Sequence, residues 1–213
     1  MQSRSAVLGL LAALTLGGCE TAAAPERRAA YDYDLQGSGQ VFHWTADRLP
    51  VRYWIAPEAG IVADFAREGI QRWSNQFLYG EFRGVVVEDS TQADVLVRVG
   101  PSTPPSGTPT NDPPALGACD GVTSNEVFDG QLTGPFRVQI NWDVRYGDVD
   151  VVNCLERVAV HEIGHTIGLF GHSPNEFDLM NPTPRVGTPS DADRATAEVL
   201  YHSPSSVRPP EIP

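Results

Sequence analysis

The chain of 213 residues contains no lysine, so all 15 of its basic residues are arginine, and against 27 acidic residues they leave a formal charge of −12. Only Arg27 and Arg28 are adjacent. Nucleic-acid binding needs clustered cations that displace phosphate counterions, and no such cluster is present. Long hydrophobic runs are missing too: the longest, Ala6 to Leu16, falls well short of the roughly 20 residues of a spanning helix. Cysteine is scarce at three residues, methionine at two and histidine at five, so any grouping of these types carries information. No internal repeat is visible. A chain of this length with 41% hydrophobic residues suits one domain around one core.

Residues 1–18 place Arg4 ahead of the apolar run and small residues before Cys19, the layout of an export signal. Leu16-Gly17-Gly18-Cys19 resembles the bacterial lipobox, which implies cleavage before Cys19 and lipidation of that residue. A plain signal that leaves Cys19 free is the alternative. On the lipoprotein reading the chain is exported and held at the cell envelope membrane through its anchor. Glu20, where an inner-membrane retention signal has Asp, points to the outer membrane, with the face left open. Residues 19–40 are polar and Ala-rich and read as a lipidated tether. In an oxidising compartment the two remaining cysteines, Cys119 and Cys154, are candidates for one disulfide; two separate buried thiols are the alternative.

Leu49–Ala56, Phe82–Glu88, Ala93–Val99 and Phe136–Trp142 have the β-branched, aromatic or alternating patterns of strands. Ile61, Phe65, Ile70, Trp73 and Phe77 recur at helical intervals, which predicts an amphipathic helix with that face buried. The proline-rich stretch Gly100–Gly117 reads as a long surface loop and Asp143–Asp150 as an acidic turn. A helix from about Val151 ends at Gly168, where a left-handed residue is tolerated. Ser190 is an expected N-cap for a last helix through DADRATAEVLYH, and residues 203–213 read as a disordered tail.

The chemistry concentrates in His161-Glu162-Ile163-Gly164-His165. Two imidazoles four residues apart project from one helical face and can chelate one zinc, and Glu162 lies close enough to take a proton from water at that metal. Three of the five histidines fall between 161 and 172, with Met180 eight residues further on.

Together, HEIGHTIGLFGHSPNEFDLM resembles the metzincin signature, and Ser173 with Met180-Asn181-Pro182 resembles the matrixin branch, to which matrix metalloproteinases belong. The resemblance extends over residues 41–202. It implies an α+β fold: a twisted, mostly parallel sheet of about five strands with an antiparallel edge strand, three main helices, and a cleft between a larger N-terminal and a smaller C-terminal subdomain. It further implies one catalytic zinc held by His161, His165 and His172, Glu162 as general base, Gly168 at the turn and Met180 as a floor under the ligands. The activity implied is that of a monomeric zinc endopeptidase acting on a protein or peptide, with the substrate extended along the edge strand, placed around Phe136–Trp142. Asn181–Arg185 would line the pocket for the residue after the cut.

The match departs from the family pattern at the third ligand. Gly171 occupies the expected position and His172 follows one residue late, which a one-residue bulge would accommodate; Glu176 and Asp178 are the rival ligands. Residues 100–134 contain no histidine, so a second, structural zinc is not expected. No propeptide cysteine is available to cap the metal, and Tyr31-Asp32-Tyr33-Asp34 reads as a solvated acidic segment, with an Asp reaching the zinc as the alternative. Calcium at Asp143–Asp150 has only unspecific support. Two other functions stay open: a non-catalytic binding lipoprotein on the same fold, and a zinc hydrolase of non-peptide bonds.

Overall fold

A computed structural model of the protein describes residues 28–101, 119–142 and 148–210. The signal segment, Cys19, the proline-rich loop and most of the acidic turn lie outside the described residues. Strand β1 (Val51–Ile55) turns Val51, Tyr53 and Ile55 inward. Helix α1 (Ile61–Ser74) then crosses to β2 (Gly84–Val87), which pairs with β1 in parallel. β3 (Val95–Pro101) joins the other side of β1, also parallel.

β4 (Cys119–Ser124) leads into a small hairpin, β5 (Val127–Phe128) and β6 (Gln131–Leu132), whose turn has Asp129 and Gly130 at φ of 48° and 68°. That pair of left-handed residues matches the twist of a two-residue hairpin. β7 (Phe136–Trp142) runs parallel to β3 and antiparallel to β4, giving the order β2-β1-β3-β7-β4. The expected sheet is present, with its edge displaced. Phe136–Trp142 is an inner strand, and the antiparallel edge is Cys119–Ser124, so 136–142 is not the edge strand it was expected to be.

Helix α2 (Asp148–Thr166) packs against both α1 and the sheet. The indole of Trp73 donates to the Val160 carbonyl at 2.9 Å and that of Trp44 to the Thr166 carbonyl at 2.8 Å, while Tyr53 Oη lies 2.7 Å from Thr166 Oγ1. These three buried anchors fix the end of α2 that carries the histidines. α3 (Asp191–Tyr201) starts at Ser190 in a capping box, with Ser190 and Asp193 each accepting from the other's backbone N–H. Among the described residues no helix is long and apolar enough to cross a membrane.

Three expectations are corrected. Ile70, Trp73 and Phe77 are buried as expected, but Ile61 is 46% exposed and Phe65 only partly buried, and the face of α1 is completed instead by Val62, Ala66 and Gly69, because small residues allow the close approach to α2 that larger ones would prevent. The segment before residue 41 is not a free tether throughout. Tyr31 is buried, its hydroxyl donates to Asp193 at 2.8 Å, and the Tyr33 carbonyl accepts from Phe170 N–H. The tail is ordered to Pro210: Val207 is buried, Ser206 and Val207 donate to the Val41 carbonyl, and Arg208 donates to Gly130.

Candidate active site

The last two turns of α2 bring His161 and His165 to one face, and Gly168, at φ 110°, reverses the chain directly after. A side chain at Gly168 would collide with the Phe42 carbonyl, so this turn requires glycine for space as well as for conformation. The chain then passes the N-terminal segment, where a Cβ on Gly171 would collide with the Asp32 carbonyl. His172 follows, its ring 5.4 Å from that of His161 and 5.0 Å from that of His165. One ligand atom of each of the three imidazoles lies within 4.8 Å of the others.

The tautomers follow from the hydrogen bonds. His161 Nδ1 is 2.8 Å from the Leu179 carbonyl and His165 Nδ1 is 2.6 Å from the Leu169 carbonyl. A carbonyl only accepts, so both Nδ1 atoms carry the proton and both Nε2 atoms present lone pairs. Those two Nε2 atoms are 3.1 Å apart. Facing lone pairs at this distance repel unless a cation lies against both. Two imidazole nitrogens on one tetrahedral zinc stand about 3.3 Å apart, so the pair fits such an ion. Burial takes His161 down to about 4 and His165 well below its ordinary value, and it lowers His172 as well, so all three rings are neutral at neutral pH, the form able to bind a metal.

The rival ligands are engaged elsewhere. Asp178 is buried and accepts from Ser173 Oγ at 2.5 Å and Asn175 Nδ2 at 3.2 Å, and Glu176 pairs with Arg185 at 2.7 Å. No Asp of residues 31–34 joins the histidine cluster found among the described residues. Met180 is fully buried beneath the cluster, where the missing side chain of Gly164, between the two helical ligands, leaves room for its sulfur.

Asp193, which sequence reasoning used only as part of a helix start, holds this floor in place. Its carboxylate accepts from Leu179 N–H at 2.8 Å, Met180 N–H at 3.2 Å and Ser190 N–H at 2.8 Å, besides Tyr31 Oη. Leu179 in turn supplies the carbonyl that orients His161. Burial, reinforced by Asp193, pushes the Tyr31 phenol far above its ordinary value, so it remains a donor.

Glu162 faces the other way, toward β4, and is buried. Desolvation pushes its carboxyl up to about 7, Asp120 adds to the rise, and a hydrogen bond from Thr123 opposes it. The cleft runs between β4 and Pro182–Arg185, with His161, Glu162, His165 and His172 along its base. Cys119 and Cys154 form a disulfide at its edge, with Cα atoms 5.8 Å apart. Thr123 had no local signal: a lone threonine among small residues reveals nothing until the strand is placed against α2.

Three convergent imidazoles that could hold a metal ion thus lie beside a buried carboxylate in an open cleft. The sequence matches the family model described as Peptidase M10, matrixin, over residues 53–202, and the chain belongs to this family of zinc metallopeptidases. None of the curated proteins compared with it matches. Among solved structures it is similar to high choriolytic enzyme 1, a hatching enzyme zinc-protease from the medaka fish Oryzias latipes. The likeness has 14% sequence identity and a TM-score of 0.41, and covers 76% of this chain and 95% of that one.

Proposed function

We propose that the chain is a zinc-dependent endopeptidase, with His161, His165 and His172 as zinc ligands and Glu162 as general base. The observation that carries this reading is the pair of unprotonated Nε2 atoms facing each other at 3.1 Å, one residue from a buried carboxylate. When bound, zinc supplies a Lewis acid that acidifies water and polarises a peptide carbonyl. The carbonyls of Leu179 and Leu169 fix two of the imidazoles in the ligating tautomer. Glu162 accepts a proton from the attacking water at its carboxylate and delivers it to the departing amine nitrogen. Its elevated proton affinity suits a group that must both take and release a proton in one cycle.

β4 offers an exposed edge along which an extended peptide can add as a further strand, with Val122 53% exposed on its outer side. Pro182–Arg185 form the opposite wall. Residues 1–19 support the further reading that the chain is exported and anchored by a lipid at Cys19, which would hold the domain at an envelope membrane.

The purified chain is expected to cut a mixed peptide library, and both a zinc chelator and Glu162→Ala are expected to abolish the cutting. Zinc binding without cleavage by the unaltered chain would leave a binding module. Cleavage confined to esters or other non-peptide carbonyls would leave a different hydrolase.

A further inference from the structure

The edge strand and the ligand helix meet through matched steps. Cys119 is bonded to Cys154; Gly121 lies against Val158 and Glu162; Thr123 lies against Glu162 again. Alternate strand residues 119, 121 and 123 thus answer helix residues 154, 158 and 162, spaced by four. Two strand residues advance about 6.6 Å and four helix residues about 6 Å, so the two elements stay in step over this length.

Each rung has a different chemistry. At the first, a covalent bond fixes the register. At the second, a Cβ on Gly121 would stand 2.6 Å from Glu162 Cγ, Glu162 Oε1 and Val158 Cγ1, so the bare backbone is what lets the Glu162 side chain occupy that space. At the third, Thr123 Oγ1 is 2.7 Å from Glu162 Oε2 and 3.1 Å from the Glu162 backbone carbonyl. A slip of one residue along β4 would turn the side chains of Cys119 and Thr123 to the opposite face and bring a side chain to the place of Gly121.

We infer that Thr123 is a positioning residue for the proposed general base: the ladder from the disulfide through Gly121 sets the register, and the Thr123 hydroxyl holds the Glu162 carboxylate in the cleft. The inference rests on the peptidase reading for its consequence in turnover, and on geometry alone for the position of the carboxylate. Without the hydroxyl, the carboxylate loses the hydrogen bond that selects its rotamer and samples orientations that do not face the attacking water.

The test compares Thr123→Val, nearly the same shape without the hydroxyl, with Thr123→Ser, which restores it. Zinc stoichiometry and thermal midpoint are expected to hold in both. Thr123→Val is expected to lower kcat about tenfold with KM changed less than about twofold, and Thr123→Ser to recover to within about twofold of the parent. A Thr123→Val enzyme within about twofold of the parent in kcat, or a Ser variant as impaired as the Val variant, overturns the inference. A crystal structure of Thr123→Val decides it independently of turnover: a carboxylate swung away from β4 supports the role, and one unmoved overturns it. A parent chain that cuts no peptide defeats the peptidase reading, and the crystallographic comparison then decides the inference about Thr123.

Discussion

Helix α2 is held at the site by two unlike sets of neighbours. On its ligand side the partners are main-chain groups: the Leu179 and Leu169 carbonyls orient His161 and His165, and Asp193 fixes the Leu179 and Met180 amides. On its base side the partners are side-chain features of one edge strand: a disulfide, a missing Cβ at Gly121 and the Thr123 hydroxyl. A backbone carbonyl survives any substitution of its own residue, whereas a hydroxyl or a glycine does not. The groups that orient His161 and His165 therefore cannot be removed by changing their own residues, whereas the base side can be graded directly by point changes.

The largest effects should separate the two sides. His172→Ala is expected to lose zinc and activity together. Glu162→Gln is expected to keep zinc, because no ligand is touched, while turnover falls by about a thousandfold, the scale of a lost general base. Zinc stoichiometry and peptide cleavage on the same preparations check both. If His172→Ala bound zinc as tightly as the parent, the third ligand would lie elsewhere and the ligand side would be less rigid than its hydrogen bonds imply.

The next effect concerns the support of the ligand side. Asp193 is fully buried and accepts from three backbone amides and one phenol. Asp193→Asn sets an amide nitrogen against some of those donors. Unfolding by urea is expected to show a loss of about 4 kcal/mol, since a buried group is left facing donors it cannot accept. Tyr31→Phe removes one donor from the same carboxylate and should cost far less, about 1 kcal/mol. Equal costs for the two would show that Asp193 serves the N-terminal segment rather than the floor beneath the histidines.

The same division explains what was legible in the sequence. His161, Glu162, His165 and the turn at Gly168 are set by spacing on one helix, and β1, β2, β3 and β7 carry their own periodic patterns, so local reading located them. β4 did not declare itself because Cys-Asp-Gly-Val-Thr-Ser has only two strand formers, Val122 and Thr123, beside Asp and Gly, and its pairing with β7 supplies what its composition lacks. Mistaking β7 for the edge followed from that omission. The N-terminal segment and the tail look loose in sequence because each buries few apolar residues, chiefly Tyr31 and Val207, and is otherwise held by hydrogen bonds, such as those of Tyr33 with Ser203 and of Ser206 with Val41, that leave no pattern. The steps of two in β4 and four in α2 were present in the sequence, but they acquire meaning only once Cys119 and Cys154 are joined.

The subtlest effect is a difference of slope with pH in the metal-free chain, where the two sides act with opposite sign. Burial raises Glu162 from 4.5 to about 7, so between these values the folded chain keeps a proton that the unfolded chain has released. Its contribution to stability is complete below 4.5 and is lost as pH rises through 7. Burial lowers His161 from 6.5 to about 4, so the unfolded chain takes up a proton first; that contribution is complete above 6.5 and is lost as pH falls toward 4. On acidification from about pH 7 to about pH 5, Glu162 offsets part of what His161 loses. Glu162→Gln removes the offset, so with chelator present the variant should lose about 2 kcal/mol more than the parent over that interval in urea unfolding. Equal losses in variant and parent would mean that Glu162 is ionised at about pH 5 in the folded chain. Glu162 would then be far better solvated than its burial implies, and the contrast between a desolvated carboxylate held by β4 and a backbone-locked ligand set would fail at its weaker half.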